Sequence, residues 1–289
     1  MSKEKRQKLG AQAITERKGG PKLTMLAAYD FLTARLIEAA GVDVILVGDS
    51  LGMVVLGYES TVPVTVEDII HHTRAVVRGA PNTHIVADMP FLSYHVSDAQ
   101  AIENAGRLIQ HGGADSVKLE GGRRIADRVR AIVNAGIPVM GHVGLTPQTA
   151  GGPAGFRVQG RDLPSARAIV EDAEAVAAAG VFSIVVEAIP AELGRIITAR
   201  VDVPTIGIGA GADCDGQVLV SADLLGLDDR VSLKFAKRYV ELAPVIDQAF
   251  ASYVQEVQAG AFPAQEQSFT MKPEVLQALE DSLKSDNPD

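Results

Sequence analysis

Short apolar runs alternate with longer stretches whose apolar positions recur every three or four residues, and this alternation repeats along most of the chain. The clearest run is Val44-Ile45-Leu46-Val47, apolar at four successive positions, as expected of a strand buried on both faces of a parallel sheet. It stops at Gly48-Asp49-Ser50, with Gly52 close behind. Comparable runs predict strands over 23–28, 84–88, 115–120, 137–142, 181–186 and 203–208. The weakest, Ala222-Asp223-Leu224-Leu225-Gly226, is read as the eighth strand.

Helical spacing fills the intervals over 31–40, about 66–78, about 98–110, 122–135, 165–179, 190–200 and about 238–258. Gly41, Gly136 and Gly180 stop three of these helices, and Thr65 with Asp68 three residues on has the form of an N-terminal capping box. Strands alternating with helices argue for a parallel α/β fold. Eight such units in about 250 residues match a (β/α)8 TIM barrel with a short N-terminal helix. The rival, an open doubly wound sheet, would carry a glycine fingerprint after its first strand, where Ala28-Tyr29-Asp30 stands instead. No internal repeat or linker divides the chain. The expected organisation is one barrel domain over 1–262, N-terminal arm included, and a polar C-terminal tail over 263–289.

Composition narrows the function. Hydrophobic residues make up 47% of the 289 and aromatics only 4%, so aliphatic side chains must fill the core. A formal net charge of −9 disfavours nucleic acid and acidic membranes as partners. A single cysteine, Cys214, excludes an internal disulfide and fits a reducing compartment. The first 17 residues lack the apolar run of a secretory signal, and no stretch approaches the roughly 18 apolar residues of a membrane span. The expectation is a soluble, cytoplasmic protein.

In a barrel the carboxyl ends of the strands converge on one mouth, where ligands bind. Those ends deliver Asp49 with Ser50, Asp88, Lys118 with Glu120, His142, Glu187 and the glycines of 207–211. Alone, Asp49 or Asp88 reads more simply as a helix cap or turn residue. Four acids closing four strands repel one another unless something neutralises them. An all-oxygen set without cysteine favours Mg²⁺ over Zn²⁺, one ion per subunit, with Asp49 and Asp88 as direct ligands and Glu120 direct or through water. His142 is an alternative ligand, equally well read as a substrate hydrogen-bonding or wall residue. Lys118 shares a strand face with Glu120, and if inward it needs a carboxylate or anionic partner. Glu187 closes an apolar strand, where burial would raise its carboxyl toward general-base duty. A helix cap before Pro190 explains it equally well. The Gly207-to-Gly211 turn is a weak anion-site signal, and a plain glycine turn is the commoner meaning. His71, His72 and His95 read as surface or packing residues, and Cys214 as inert.

Several strings in order make the chain resemble the ketopantoate hydroxymethyltransferases over about 20–262. They are Tyr29-Asp30, Val47 to Met53, Ala87-Asp88-Met89-Pro90-Phe91, Val117 to Gly122, Gly141 to Gln148, Val186-Glu187 with Pro190, Gly207 to Gly211, and Asp215-Gly216-Gln217. The resemblance implies a Mg²⁺-dependent barrel of the phosphoenolpyruvate/pyruvate type. It implies transfer of the one-carbon unit of 5,10-methylenetetrahydrofolate to 3-methyl-2-oxobutanoate through a Mg-stabilised enolate. The product would be 2-dehydropantoate, on the route to pantothenate and coenzyme A. By position, Asp49, Asp88 and Glu120 would bind the metal. Ser50, Lys118 and the two aspartates would contact the keto acid, and Glu187 would accept the proton. His142 is carried as a further substrate contact. The family implies a cytoplasmic homo-oligomer, commonly a decamer. The alternative is a Mg-dependent 2-keto-acid lyase or aldolase on the same barrel, which would turn over without folate.

Overall fold

The computed structural model describes residues 7–150, 156–228 and 233–285. Residues 1–6 of the leading arm, 151–155 of the glycine-rich loop 144–160, and 286–289 of the tail lie outside the described residues. The strands are β1 (Leu23–Ala27), β2 (Val44–Val47), β3 (His84–Asp88), β4 (Ser116–Glu120), β5 (Val139–Gly144), β6 (Ser183–Glu187), β7 (Thr205–Ile208) and β8 (Gly216–Val220). They are parallel and close into a barrel in sequence order, β8 returning to β1 from Leu23↔Gly216 to Ala27↔Val220. The expected (β/α)8 barrel is therefore the observed fold.

The helices are α1 (Ala11–Thr15), α2 (Phe31–Ala40), α3 (Leu51–Val54), α4 (Val66–Gly79), α5 (Asp98–Arg107) and α6 (Ala126–Asn134). After them come α7 (Leu163–Ala178), α8 (Ala191–Arg200), α9 (Ser221–Leu225), α10 (Ala243–Gln258) and α11 (Pro273–Ser285). Helix α1 precedes the first strand, α2 to α8 lie between successive strands in sequence, and α9 to α11 follow the last. Caps fix their starts. The Thr65 hydroxyl accepts from Asp68 N–H at 3.2 Å while the Asp68 carboxylate accepts from Thr65 N–H at 2.9 Å, the reciprocal box at the head of α4. Asp30 caps α2 by accepting from Thr33 N–H at 2.9 Å.

Every residue of β2, β3 and β4 is buried, because helices cover the outside and side chains fill the inside. The core these strands share with the helices is almost wholly aliphatic, from Val44 and Ile45 through Val117 and Leu119 to Val185 and Val186.

The eighth strand is not where the apolar run pointed. β8 is Gly216–Val220, and Ser221–Leu225 forms the short helix α9. β8 alternates buried and exposed positions and opens with Gly216 and Gln217, so it lacks the continuous apolar signature of its neighbours. By compactness the chain forms two units, one within residues 1–240 and one within 241–289, the second carrying α10 and α11. Among the described residues no helix is long and apolar enough to cross a membrane.

Candidate active site

Strand register builds the site. Asp88 on β3 lies beside Lys118 on β4, Glu120 beside His142 on β5, and Gly144 beside Glu187 on β6. Since alternate residues of a strand share a face, Lys118 and Glu120 point the same way, and both are buried. Asp49 joins from the turn after β2, donating its backbone N–H to Asp88 Oδ2 at 2.9 Å. Asp49, Asp88, Lys118, Glu120 and His142 are each 5% exposed or less, a density of buried charge that demands mutual compensation.

The compensation forms a chain of contacts. Lys118 Nζ lies 3.0 Å from Asp88 Oδ1 and 3.3 Å from His142 Nδ1. His142 Nδ1 is also 3.4 Å from Glu120 Oε1, and its Nε2 is 3.1 Å from Glu187 Oε2. The imidazole therefore bridges Glu120 and Glu187. Burial and the nearby Lys118 push its pKa down, yet the two carboxylates outweigh both and lift it to about 9. Burial would lower Lys118, but Asp88, Glu120 and Asp49 together hold it above the ordinary lysine range. Glu120, in spite of burial, is held below its usual range by the His142 ring. Asp49 is driven well above the carboxylate range by burial, then by repulsion from Asp88 and Glu120. Asp88 is also raised by burial, against the pull of Lys118.

Glu187 closes β6 with its side chain 17% exposed and its Oε2 3.1 Å from His142 Nε2. The backbone turns sharply there. Ala188 sits in the left-handed region at φ 48°, unusual for a residue with a Cβ, and is fixed by bonds from its N–H to Ile208 O and to its own carbonyl from Gln159 N–H, both 2.8 Å. Gly144 faces this turn with φ 95°, and a Cβ on it would stand 2.3 Å from Glu187 O.

Ser50 starts α3, its hydroxyl 2.7 Å from the Tyr29 hydroxyl. Burial, against that hydrogen bond, keeps the Tyr29 phenol protonated by raising its pKa. Gly209 and Gly211 have φ of 63° and 85° and pack against Phe235 and Ala191, which explains glycine there by itself. Beside Glu120 and Gly144 lies a cavity of about 280 Å³, walled by Tyr94 and His95 and rimmed by Arg124 and Arg128.

Two members of the cluster carried no role in the sequence reading. Gln148, 3% exposed on the turn after β5, donates its amide to Asp49 Oδ2 at 2.8 Å and its backbone N–H to Glu120 Oε2 at 3.1 Å. Tyr94 on the loop after β3 donates its hydroxyl to Gln148 Oε1 at 2.8 Å. The only hint of Gln148 was its place in the Gly141-to-Gln148 string.

The donor set bears on a metal. Among the described residues no three His, Cys, Asp or Glu side chains converge to enclose an ion by themselves. Mg²⁺ does not require that, since it takes one or two carboxylates and completes its shell with water and substrate oxygens. Asp88 Oδ1 is buried without a hydrogen-bond partner, its 3.0 Å contact with Lys118 being off alignment. Next to it stands Asp49, whose charge is penalised by burial and by Asp88 itself. A hard cation between these two carboxylates would relieve both costs, so the pair fits Mg²⁺. Glu120 is already committed to Gln148 and His142, which suits contact through water.

The fold defines the class first. The chain is similar to phosphoenolpyruvate phosphomutase from Streptomyces platensis subsp. rosaceus, with TM-score 0.60 and 15% identity, covering 96% of this chain and 98% of that one. It is similar also to 2,3-dimethylmalate lyase, TM-score 0.55 at 16% identity, with 96% and 98% covered. Identities this low show the fold alone, a closed parallel (β/α)8 barrel.

Sequence carries the assignment further. Residues 8–265 match the pattern of the ketopantoate hydroxymethyltransferases. A 3-methyl-2-oxobutanoate hydroxymethyltransferase from Moorella thermoacetica is 60% identical over 258 residues, covering 89% of this chain and 95% of that protein. Its counterpart from Carboxydothermus hydrogenoformans is 53% identical over 263 residues, covering 91% and 95%. The chain belongs to the ketopantoate hydroxymethyltransferase family and is an enzyme, a hydroxymethyltransferase.

Proposed function

We propose that the chain transfers the one-carbon unit of 5,10-methylenetetrahydrofolate to C3 of 3-methyl-2-oxobutanoate, giving 2-dehydropantoate for pantothenate and coenzyme A synthesis. The carrying observation is Glu187, poised at the open mouth with His142 against its carboxylate and the Asp49–Asp88–Lys118 group alongside. Asp49 and Asp88 would hold one Mg²⁺ per subunit, with Glu120 as the third acidic contributor, directly or through water. When bound, the ion supplies positive charge to the keto acid's carboxylate and keto oxygens.

The chain's own residues do the rest. Lys118 offers a second positive charge to the substrate's oxygens, and Ser50 a hydroxyl already oriented by Tyr29. Glu187 takes the proton from C3, and His142 holds that carboxylate in place. The resulting enolate carbon attacks the donor's methylene, forming the C–C bond. Both methylene–nitrogen bonds of the donor break, water supplies the product hydroxyl and one proton, the proton taken from C3 supplies the other, and tetrahydrofolate leaves with both on its nitrogens. The cavity beside Glu120 and Gly144 gives the donor room to approach. The enzyme works in the cytoplasm as a homo-oligomer, a decamer by family resemblance.

The test is incubation with 3-methyl-2-oxobutanoate and Mg²⁺ in deuterated water, with and without the folate donor. Deuterium enters C3 without folate and stops on adding EDTA, while product forms only with folate. Cleavage of the keto acid without folate would favour the lyase reading instead.

A further inference from the structure

Four polar contacts of one buried amide side chain and its backbone tie the acidic site together. Gln148 Nε2 donates to Asp49 Oδ2 at 2.8 Å and to Met89 O at 3.0 Å. Its backbone N–H donates to Glu120 Oε2 at 3.1 Å. Its Oε1 accepts from the Tyr94 hydroxyl at 2.8 Å. Only one amide orientation satisfies this set, because Asp49 Oδ2 and Met89 O are both acceptors and must face the NH₂ end.

The Tyr94 hydroxyl fixes that choice. It also lies 3.1 Å from Glu120 O and accepts from Glu120 N–H at 3.3 Å. Tyr94 is 1% exposed, and burial holds its phenol well above the usual range, so it stays a donor. The NH₂ end of the Gln148 amide thus has two partners and its oxygen one, and the two acids that the residue touches, Asp49 and Glu120, stand on different segments of the chain.

We infer that Gln148 is a positioning residue of the reaction. Its amide holds Asp49 Oδ2, beside the Asp88 carboxylate that accepts the Asp49 N–H, and its backbone N–H holds Glu120 Oε2. Tyr94 acts through it, by locking the amide. This rests on the proposed role of Asp49 and Asp88 as cation ligands. Left without the amide, Asp49 Oδ2 would lose its donor beside the buried Met89 carbonyl, and the carboxylate would be free to rotate.

The test measures Mn²⁺ binding by electron paramagnetic resonance, together with kcat and KM for the keto acid and apo-protein melting. Gln148→Met keeps the volume and the backbone N–H but removes the amide. It is expected to weaken Mn²⁺ binding at least fivefold and to raise KM more than it lowers kcat. Tyr94→Phe, which leaves the amide present but unlocked, gives a smaller loss in the same direction. The double variant binds Mn²⁺ no more weakly than Gln148→Met alone if the Tyr94 hydroxyl acts through the amide, and more weakly if it acts through its contacts with the Glu120 backbone.

A purely structural Gln148 would lower the melting temperature and leave Mn²⁺ affinity and KM within twofold of the parent, which overturns the inference. Should Gln148→Met not fold, Tyr94→Phe decides, with unchanged Mn²⁺ affinity counting against it. Parent protein that binds no Mn²⁺ at all overturns the proposed function, and this inference falls with it.

Discussion

Nε2 of His142 lies 3.1 Å from Oε2 of Glu187, while the other face of the same ring reaches Glu120. The base proposed for proton removal is thus held by a group with its own titration. A histidine whose pKa is higher in the folded than in the unfolded chain adds stability below its unfolded value of about 6.5, and loses it as pH rises through the folded value. With His142 lifted to about 9, metal-free protein should lose up to about 3 kcal/mol between those limits. Urea unfolding at a series of pH values checks this. His142→Gln should flatten the dependence over that window.

Glu187→Gln keeps the size and removes the base. Keto-acid binding should hold within a few-fold, while C3 exchange falls by roughly 10²–10⁴, the range of a lost general base. Exchange at the parent rate would move the proton acceptor elsewhere in the mouth.

Lys118→Met leaves Asp88 buried without its cation. Removing one partner of such a pair costs roughly 3–5 kcal/mol at neutral pH. The loss should shrink toward pH 5, because burial already raises Asp88 and the unpaired acid protonates readily. Equal destabilisation at both pH values would show the loss to be packing alone.

Gly144→Ala puts a methyl group 2.3 Å from the Glu187 carbonyl at a backbone angle alanine resists. The β5 and β6 ends must part to admit it. Turnover is expected to fall at least tenfold, with the larger part of the loss in kcat, since Glu187 is displaced. Steady-state kinetics read the split.

Asp49→Ala with Asp88→Ala should abolish Mg²⁺ binding, measured calorimetrically. Restoring Asp49 alone should leave binding too weak to saturate at millimolar ion.

The barrel was legible because a strand covered on both faces announces itself as a block of aliphatic residues, as Val44–Val47 does. The same logic misplaced β8. Gly216 and Gln217 dilute its pattern, and the neighbouring Ala222-to-Leu225 run belongs to the short helix α9. At the site, Asp49, Asp88, Lys118, Glu120, His142 and Glu187 could be gathered in advance, since each sits at or just beyond a strand end and barrel topology does the rest. Gln148 and Tyr94 could not. They stand on loops, 99 and 26 residues from the partners they bind, and nothing local marks an amide or phenol as the clasp of an acid cluster.

Closure between β1 and β8 also governs when the molecule becomes whole. The first stave emerges from the ribosome nearly two hundred residues before the last, so Leu23–Ala27 must wait for Gly216–Val220. Until then both β1 and β7 offer bare hydrogen-bonding margins to any passing strand. A fragment clipped ahead of Gly216 should therefore clump rather than stay dispersed. The hoop is sealed by a strand that opens on glycine and glutamine, late in synthesis.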